Sequence, residues 1–252
     1  MSLLTLGIET SGLAGAVALR RDGETIETVT LQPSGRRHAQ TLISEVEALL
    51  RRADLTAKQL QLIAVSIGPG SFTGLRVGVV FAKTLAYAVG CRLVAVDTFR
   101  AIAAACPREF AEVFIVSDAQ RGELFVGRYC FGERLKITSP DGEPEGVSPR
   151  TGLIVRGLTP SGSPASLGTE APITIESADS FCLRAGEIAV SGPAAASLPP
   201  SVRVLAPEFH LPRAEFIAAL GEQQALAGEQ SDVWKLEPFY LRRSAAEEKA
   251  AS

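Results

Sequence analysis

Apolar positions change their spacing several times along the chain, and each change marks an element. Leu3–Glu9 is apolar almost throughout, which predicts a central strand. Thr10–Gly15 is a turn of small residues. Ala16–Arg20 follows as a second strand, Asp22-Gly23 as a hairpin turn, and Thr25–Leu31 alternates as a third strand. From His38 to Ala53 the spacing lengthens: Ala39, Leu42, Ile43, Val46, Leu49 and Leu50 recur every three or four residues, as on a helix. Leu62–Ile67 is a short buried strand. The segment from Gly68 to Gly78 then runs into a second helix that ends near Gly90. Leu93–Val96 is another strand, and Thr98 is the expected cap of a helix over Phe99–Ala105 that Pro107 terminates. Strands alternating with helices after an opening meander predict an α/β fold with crossover connections.

The opening layout then returns. An apolar strand, an acid and a small turn occur at Gly7–Gly12, before the strand Ala16–Arg20. They recur at Ile115–Gln120, before the strand Glu123–Tyr129. A repeat of that size predicts two lobes of one topology. Residues Gly132–Ala178 are rich in Gly, Pro, Ser and Thr, with short strands expected at Leu153–Val155 and Ile173–Ile175. Ile188–Ser191 reads as a strand leading to Gly192. Pro212 opens a helix from Arg213 to about Leu226. Leu236–Arg242 is a short extended segment, and Ser244–Ser252 a frayed, exposed end. The expected division is a first lobe over residues 1–106 and a second over 107–211, with 212–242 packing back on the first.

Composition narrows the function classes. Of the 252 residues, 46% are hydrophobic and 21% charged, so the chain can bury a core. A net charge of −3 supplies no global field for RNA. The start MSLLTLGIETS lacks the basic region of a signal peptide. The longest apolar stretch, Leu75–Val89, is interrupted by Arg76 and Lys83 and is short for a membrane span. Cys91, Cys106, Cys130 and Cys182 form no C-x-x-C pair, which fits reduced, packed residues and a cytoplasmic location.

Gly68-Pro69-Gly70-Ser71-Phe72-Thr73-Gly74-Leu75-Arg76-Val77-Gly78 carries the most information. Its four glycines let the backbone turn sharply or approach another group closely. Ser71 or Thr73 can cap the helix that follows. A glycine turn entering a helix can hold an anion on free N–H groups, but no Gly-Lys exists for a P-loop. Thr73 also stands where the dinucleotide pattern needs its third glycine. The plainer reading is a tight strand–helix turn. The helix that follows is apolar on two stripes, Leu75, Val79, Ala82, Ala86 and Val89, and Val77, Phe81, Leu85 and Ala88. A helix apolar on two faces must be covered twice: by the sheet, and by the His38–Ala53 helix or another chain.

GPGSFTGLRVG closely resembles the signature of the bacterial TsaB (YeaZ) family. GIETSG, DAQRGELF at Asp118–Phe125, SGPAA at Ser191–Ala195, LPRAEFIAAL at Leu211–Leu220 and EPFYLR at Glu237–Arg242 resemble its further segments, in order. The resemblance implies a two-lobed actin-like, hexokinase-type ATPase (ASKHA) fold with mixed sheets. It implies a non-catalytic subunit of the tRNA threonylcarbamoyladenosine machinery, the dimerising partner of TsaD, with the small ATPase TsaE joining them. TsaD transfers threonylcarbamoyl to tRNA and holds a metal through His-x-x-x-His and an acid. Here the two histidines, His38 and His210, are far too separated for one helix face, so no metal, cofactor or catalytic residue is expected.

The expected interface with TsaD comprises His38, Leu42, Leu75, Arg76, Val79, Ala82 and Lys83, with Val79 at its centre. The same surface would form a homodimer when the chain is alone, and tRNA is reached only indirectly. The glycine-loop site comprises Gly68, Gly70, Ser71, Thr73, Gly74 and Gly78. The rival reading is an ATP-binding phosphotransferase or ATPase of the same fold, in which Glu9 and Asp118 would line the phosphate end of the cleft. Each acid can equally be a turn acceptor for backbone N–H groups.

Overall fold

The computed structural model describes residues 3–31, 38–131 and 172–241, and only the backbone of residues 38–40. Every residue of β1 (Leu4–Glu9) is buried, because strands flank it on both sides and helices cover both faces of its sheet. β2 (Ala16–Arg21) and β3 (Glu24–Thr30) complete the meander, with Asp22 and Gly23 both at positive φ in the turn. β4 (Leu62–Ser66) and β5 (Arg92–Val96) add to the other side, giving the order β3-β2-β1-β4-β5. β1 runs antiparallel to β2 and parallel to β4.

The second sheet has the order β8-β7-β6-β9, from β6 (Glu112–Gln120), β7 (Glu123–Cys130), β8 (Thr174–Ser177) and β9 (Ala189–Ser191). β6 repeats the neighbours of β1: it is antiparallel to the next strand and parallel to a later one. The repeated layout in the sequence is thus a repeated topology, and the fold is an α/β architecture built on two mixed sheets. The strand expected at Leu153–Val155 lies outside the described residues.

Helices α1 (His38–Arg52) and α2 (Phe72–Val89) cover one face of the first sheet. α3 (Thr98–Ala105) and α5 (Ala214–Leu226) pack on the other, while α4 (Ala178–Ala185) packs on the second sheet. α5 lies against β1 closely enough that a Cβ on Gly7 would fall 2.4 Å from the Ala214 carbonyl oxygen. Two helix starts differ from expectation. Asp97, not Thr98, caps α3, because its carboxylate reaches the N–H groups of Phe99 and Arg100, while the Thr98 hydroxyl accepts from Gly68. Pro212 precedes Arg213, the N-cap of α5, rather than opening the helix itself.

Candidate functional site

The glycine loop is packed against the turn between β1 and β2. Ser71 N–H donates to the Ser11 carbonyl at 2.7 Å, and Ser71 Oγ caps α2 by accepting from Gly74 N–H at 3.3 Å. A Cβ on Gly70 would lie 2.6 Å from Ser11, one on Gly74 2.0 Å from the Thr10 carbonyl oxygen, and one on Gly78 2.1 Å from Thr10 Oγ1. Gly70 and Gly74 let backbone approach backbone, and Gly78 leaves room for the Thr10 side chain. Gly68, at φ 117°, exchanges two hydrogen bonds with Thr98, at 3.1 and 2.9 Å. Thr73 is exposed on the first turn of α2. The space an anion would need over Gly70 and Gly74 is filled by Thr10 and Ser11, and the Gly74 and Leu75 N–H groups are bonded to Ser71.

The two candidate acids both act as turn acceptors. Glu9 is buried, and its Oε1 accepts from Ser11 N–H and Ser11 Oγ at 2.5 Å each. Burial pushes its carboxyl above the ordinary carboxylate range, against the pull of those bonds. Exposed Asp118 accepts from Gln120 N–H at 2.6 Å in the equivalent hairpin.

The helical surface requires a correction. Leu42, Leu75, Val79 and Ala82, expected at an interface, are buried in the chain's own core. The stripe Leu75–Val79–Ala82–Ala86 faces the sheet. The second stripe, through Val77, Phe81 and Leu85, is half-buried. Between α1 and α2 it forms a groove with Ile43, Val46, Leu50 and Leu55. What faces out is a third line that mixes chemistry: Arg76, Val80, Thr84 and Tyr87, with Val80 62% and Tyr87 67% exposed, and Ile43 of α1 at 56%. Lys83 is half-buried and donates to two carbonyls of the C-terminal segment, those of Trp234 and Leu236. The backbone of His38 opens α1, but its side chain is outside the described residues. His210 lies outside the helices and strands and is buried, with Nε2 2.7 Å from the Leu205 carbonyl oxygen. Val80 and Tyr87 sit at helical spacing from Arg76, so the outward line was present in the sequence. The apolar stripes on either side of it obscured it.

A buried polar cluster lies where α3 meets the second sheet. Asp97 accepts from its two capping N–H groups and, at 3.4 Å, from Tyr129 Oη on β7. Arg100 is 3% exposed, and among the described residues its Nε and Nη1 have no hydrogen-bond partner. Burial raises the Asp97 carboxyl from 3.8 to about 6, although the capping N–H groups, the Arg100 charge and Tyr129 oppose the rise. The folded state therefore holds this proton more tightly than the unfolded chain. Its contribution favours folding in acid and is lost as pH rises from about 4 through about 6. Urea midpoints should fall over that window by an amount worth on the order of 1–3 kcal/mol. Asp97→Asn should flatten the slope. Buried Glu9 acts in the same direction. A slope unchanged by Asp97→Asn would remove Asp97 as its source.

Among the described residues, no group of three His, Cys, Asp or Glu side chains is placed to hold a metal ion. The family model described as TsaD: tRNA N6-adenosine threonylcarbamoyltransferase matches residues 28–142. The chain is 32% identical over 126 residues to the tRNA threonylcarbamoyladenosine biosynthesis protein TsaB of Bacillus subtilis, covering 50% of this chain and 55% of that one. It is 31% identical over 126 residues to the protein of the same description from Escherichia coli, covering 49% and 54%. The chain thus spans little more than half the length of these curated relatives. In structure it is similar to YeaZ from Pseudomonas aeruginosa, with a TM-score of 0.66 and 23% identity over 95% of this chain and all of that one. Over about half its length the chain is thus similar in sequence to TsaB proteins, and over nearly all of it the chain shares the fold of YeaZ.

Proposed function

We propose that the chain is a non-catalytic subunit of the cytoplasmic tRNA threonylcarbamoyladenosine machinery, which pairs with a TsaD-type transferase and works with a TsaE-type ATPase. The reading rests on the description of its relatives as TsaB biosynthesis proteins and on one structural observation. α2 keeps Val80 and Tyr87 in solvent beside an apolar groove shared with α1, although the sheet already has its covering stripe. Exposed apolar surface of this kind is ordinarily covered by another protein. Self-association through the same face is the expected fallback when no TsaD-type subunit is present.

The rival, a phosphotransferase or ATPase, has less support. The glycine loop that would cradle a phosphate is instead packed on Thr10 and Ser11, and Glu9 is committed to the same turn. The test is reconstitution. The purified chain alone should neither hydrolyse ATP nor transfer threonylcarbamoyl to tRNA. Added to TsaD-type and TsaE-type proteins of the same organism, it should be required for transfer. ATP turnover by the lone chain, or full transfer in its absence, would overturn the reading.

A further inference from the structure

After α5 the chain does not end on the surface it has just covered. Residues 229–241 return to the first sheet and run along α2 as a strap. Ser231 N–H donates to the Leu93 carbonyl at 2.8 Å, and Ser231 Oγ accepts from Ala95 N–H at 3.0 Å. Lys83 Nζ donates to the Trp234 and Leu236 carbonyls at 3.3 and 3.0 Å. Phe239 N–H donates to the Ile67 carbonyl at 2.7 Å. Arg76 Nε donates to Tyr240 Oη at 2.9 Å, while its guanidinium lies 3.9 Å from the centre of the Phe72 ring. Val233 and Leu236 pack against the first core. The strap's backbone is therefore pinned at several points.

Its aromatic side chains are not buried by that pinning. Trp234 is 74% exposed and meets exposed Tyr87 edge-on, with ring centres 5.2 Å apart. Tyr240 is partly exposed beside Phe72, at 4.8 Å. Rigidly held aromatics lose little conformational freedom on docking, and Trp, Tyr and Arg are the residues that most often carry an interface. The charge on α2 is one-sided. Its only charged residues are Arg76 and Lys83, and among the described residues neither is in an ion pair. On the strap, Asp232 is near Lys235, and Glu237 is exposed.

We infer that the strap forms the second half of the docking surface, with Trp234 and Tyr240 as anchoring side chains, and that the TsaD-type partner presents carboxylates to Arg76 and Lys83. The inference rests on the pairing proposed above and adds where the partner is held and by what chemistry. A protein is favoured over a nucleic acid because the same face continues into a mainly apolar groove of Ile43, Phe81 and Leu85, where the one cation, Arg51, is accompanied by the acid Glu47.

Trp234 is the chain's single tryptophan, so it reports on this surface alone. With the chain labelled with 5-fluorotryptophan, unlabelled TsaD-type partner should shift its one fluorine resonance. Trp234→Ala and Tyr240→Ala should each weaken the dissociation constant roughly tenfold or more without lowering the melting temperature. Arg76→Gln combined with Lys83→Gln should reduce the salt dependence of binding. The inference falls if Val80→Glu abolishes pairing while both aromatic variants bind as the wild type and the resonance stays fixed; the pairing itself would then stand. If Val80→Glu is also silent, the pairing reading falls with it. A resonance moved by short single-stranded RNA but not by the partner would overturn the inference in favour of a nucleic-acid surface.

Discussion

Val80→Glu should leave the chain folded and abolish its pairing with a TsaD-type subunit, whereas Val79→Glu, one residue earlier, should unfold it. Val79 is 2% exposed, within the cluster that includes Leu6, Ile8 and Val65 of the sheet. A carboxylate there would lose its hydration without gaining a partner, which costs several kcal/mol and can exhaust the stability of a marginal domain. Val80 is 62% exposed, so the same substitution there changes little in the free chain. Arg76 and Lys83 lie one turn to either side of it, and the new acid can pair with both for a few tenths of a kcal/mol. In the complex that carboxylate must be desolvated, and it neutralises the two cations offered to the partner. Losing about 2–5 kcal/mol there corresponds to a dissociation constant raised by a factor of roughly 30 to several thousand. Thermal melts of both variants, with size-exclusion chromatography of the Val80→Glu chain mixed with partner, separate the outcomes. Co-elution of Val80→Glu with the partner would show that this face of α2 is not the contact.

Gly74→Val should be the most damaging substitution in the glycine loop. Its Cβ would sit 2.0 Å from the Thr10 carbonyl oxygen, which is backbone and cannot turn aside as a side chain can. α2 would have to lift from the β1–β2 turn, and the Ser71 cap and the Ser71–Ser11 hydrogen bond would be strained with it. The expected cost is about 3 kcal/mol or more, at the upper end for overpacked sites. For a chain of this size that lowers the melting temperature by roughly 6–12 °C. Gly78→Ala should cost less, because its obstacle is the Thr10 side chain. Thr10→Ala, which removes the hydroxyl, should partly rescue Gly78→Ala and leave Gly74→Val unrescued. A melting temperature unchanged by Gly74→Val would mean that the contact with Thr10 is not constraining.

The strands of the first sheet and the helices α1 and α2 were legible because each is specified locally. β1 is a continuous apolar run, Asp22-Gly23 supplies the positive φ that its hairpin needs, and α1 and α2 carry helical spacing and a glycine stop at Gly90. The glycine loop announced a close backbone approach, and the repeated hairpin announced a second sheet of the same topology. The cap of α3 was misplaced by one residue because Asp97 and Thr98 are both good caps, and only their partners separate them. The interface residues were misplaced for a different reason. α2 is apolar on two stripes, and periodicity gives the angle between them but not which one meets the sheet.

The sequence by itself thus determined the order of elements in the first sheet, the need for contact at the glycines, and the helical spacing of α1 and α2, whereas α4 was not read from it. All of these depend on residues close in sequence. The tertiary structure alone decided what the glycines touch, since Thr10 lies far before Gly74 in the chain. It also decided that α5 crosses to the first sheet, that Tyr129 of the second sheet reaches Asp97, and that the strap's aromatics stand beside Tyr87. Such contacts follow from the joint packing of the whole chain, and no local pattern encodes them. They are what turned Leu75 and Val79 inward and left Val80, Tyr87 and Trp234 in solvent.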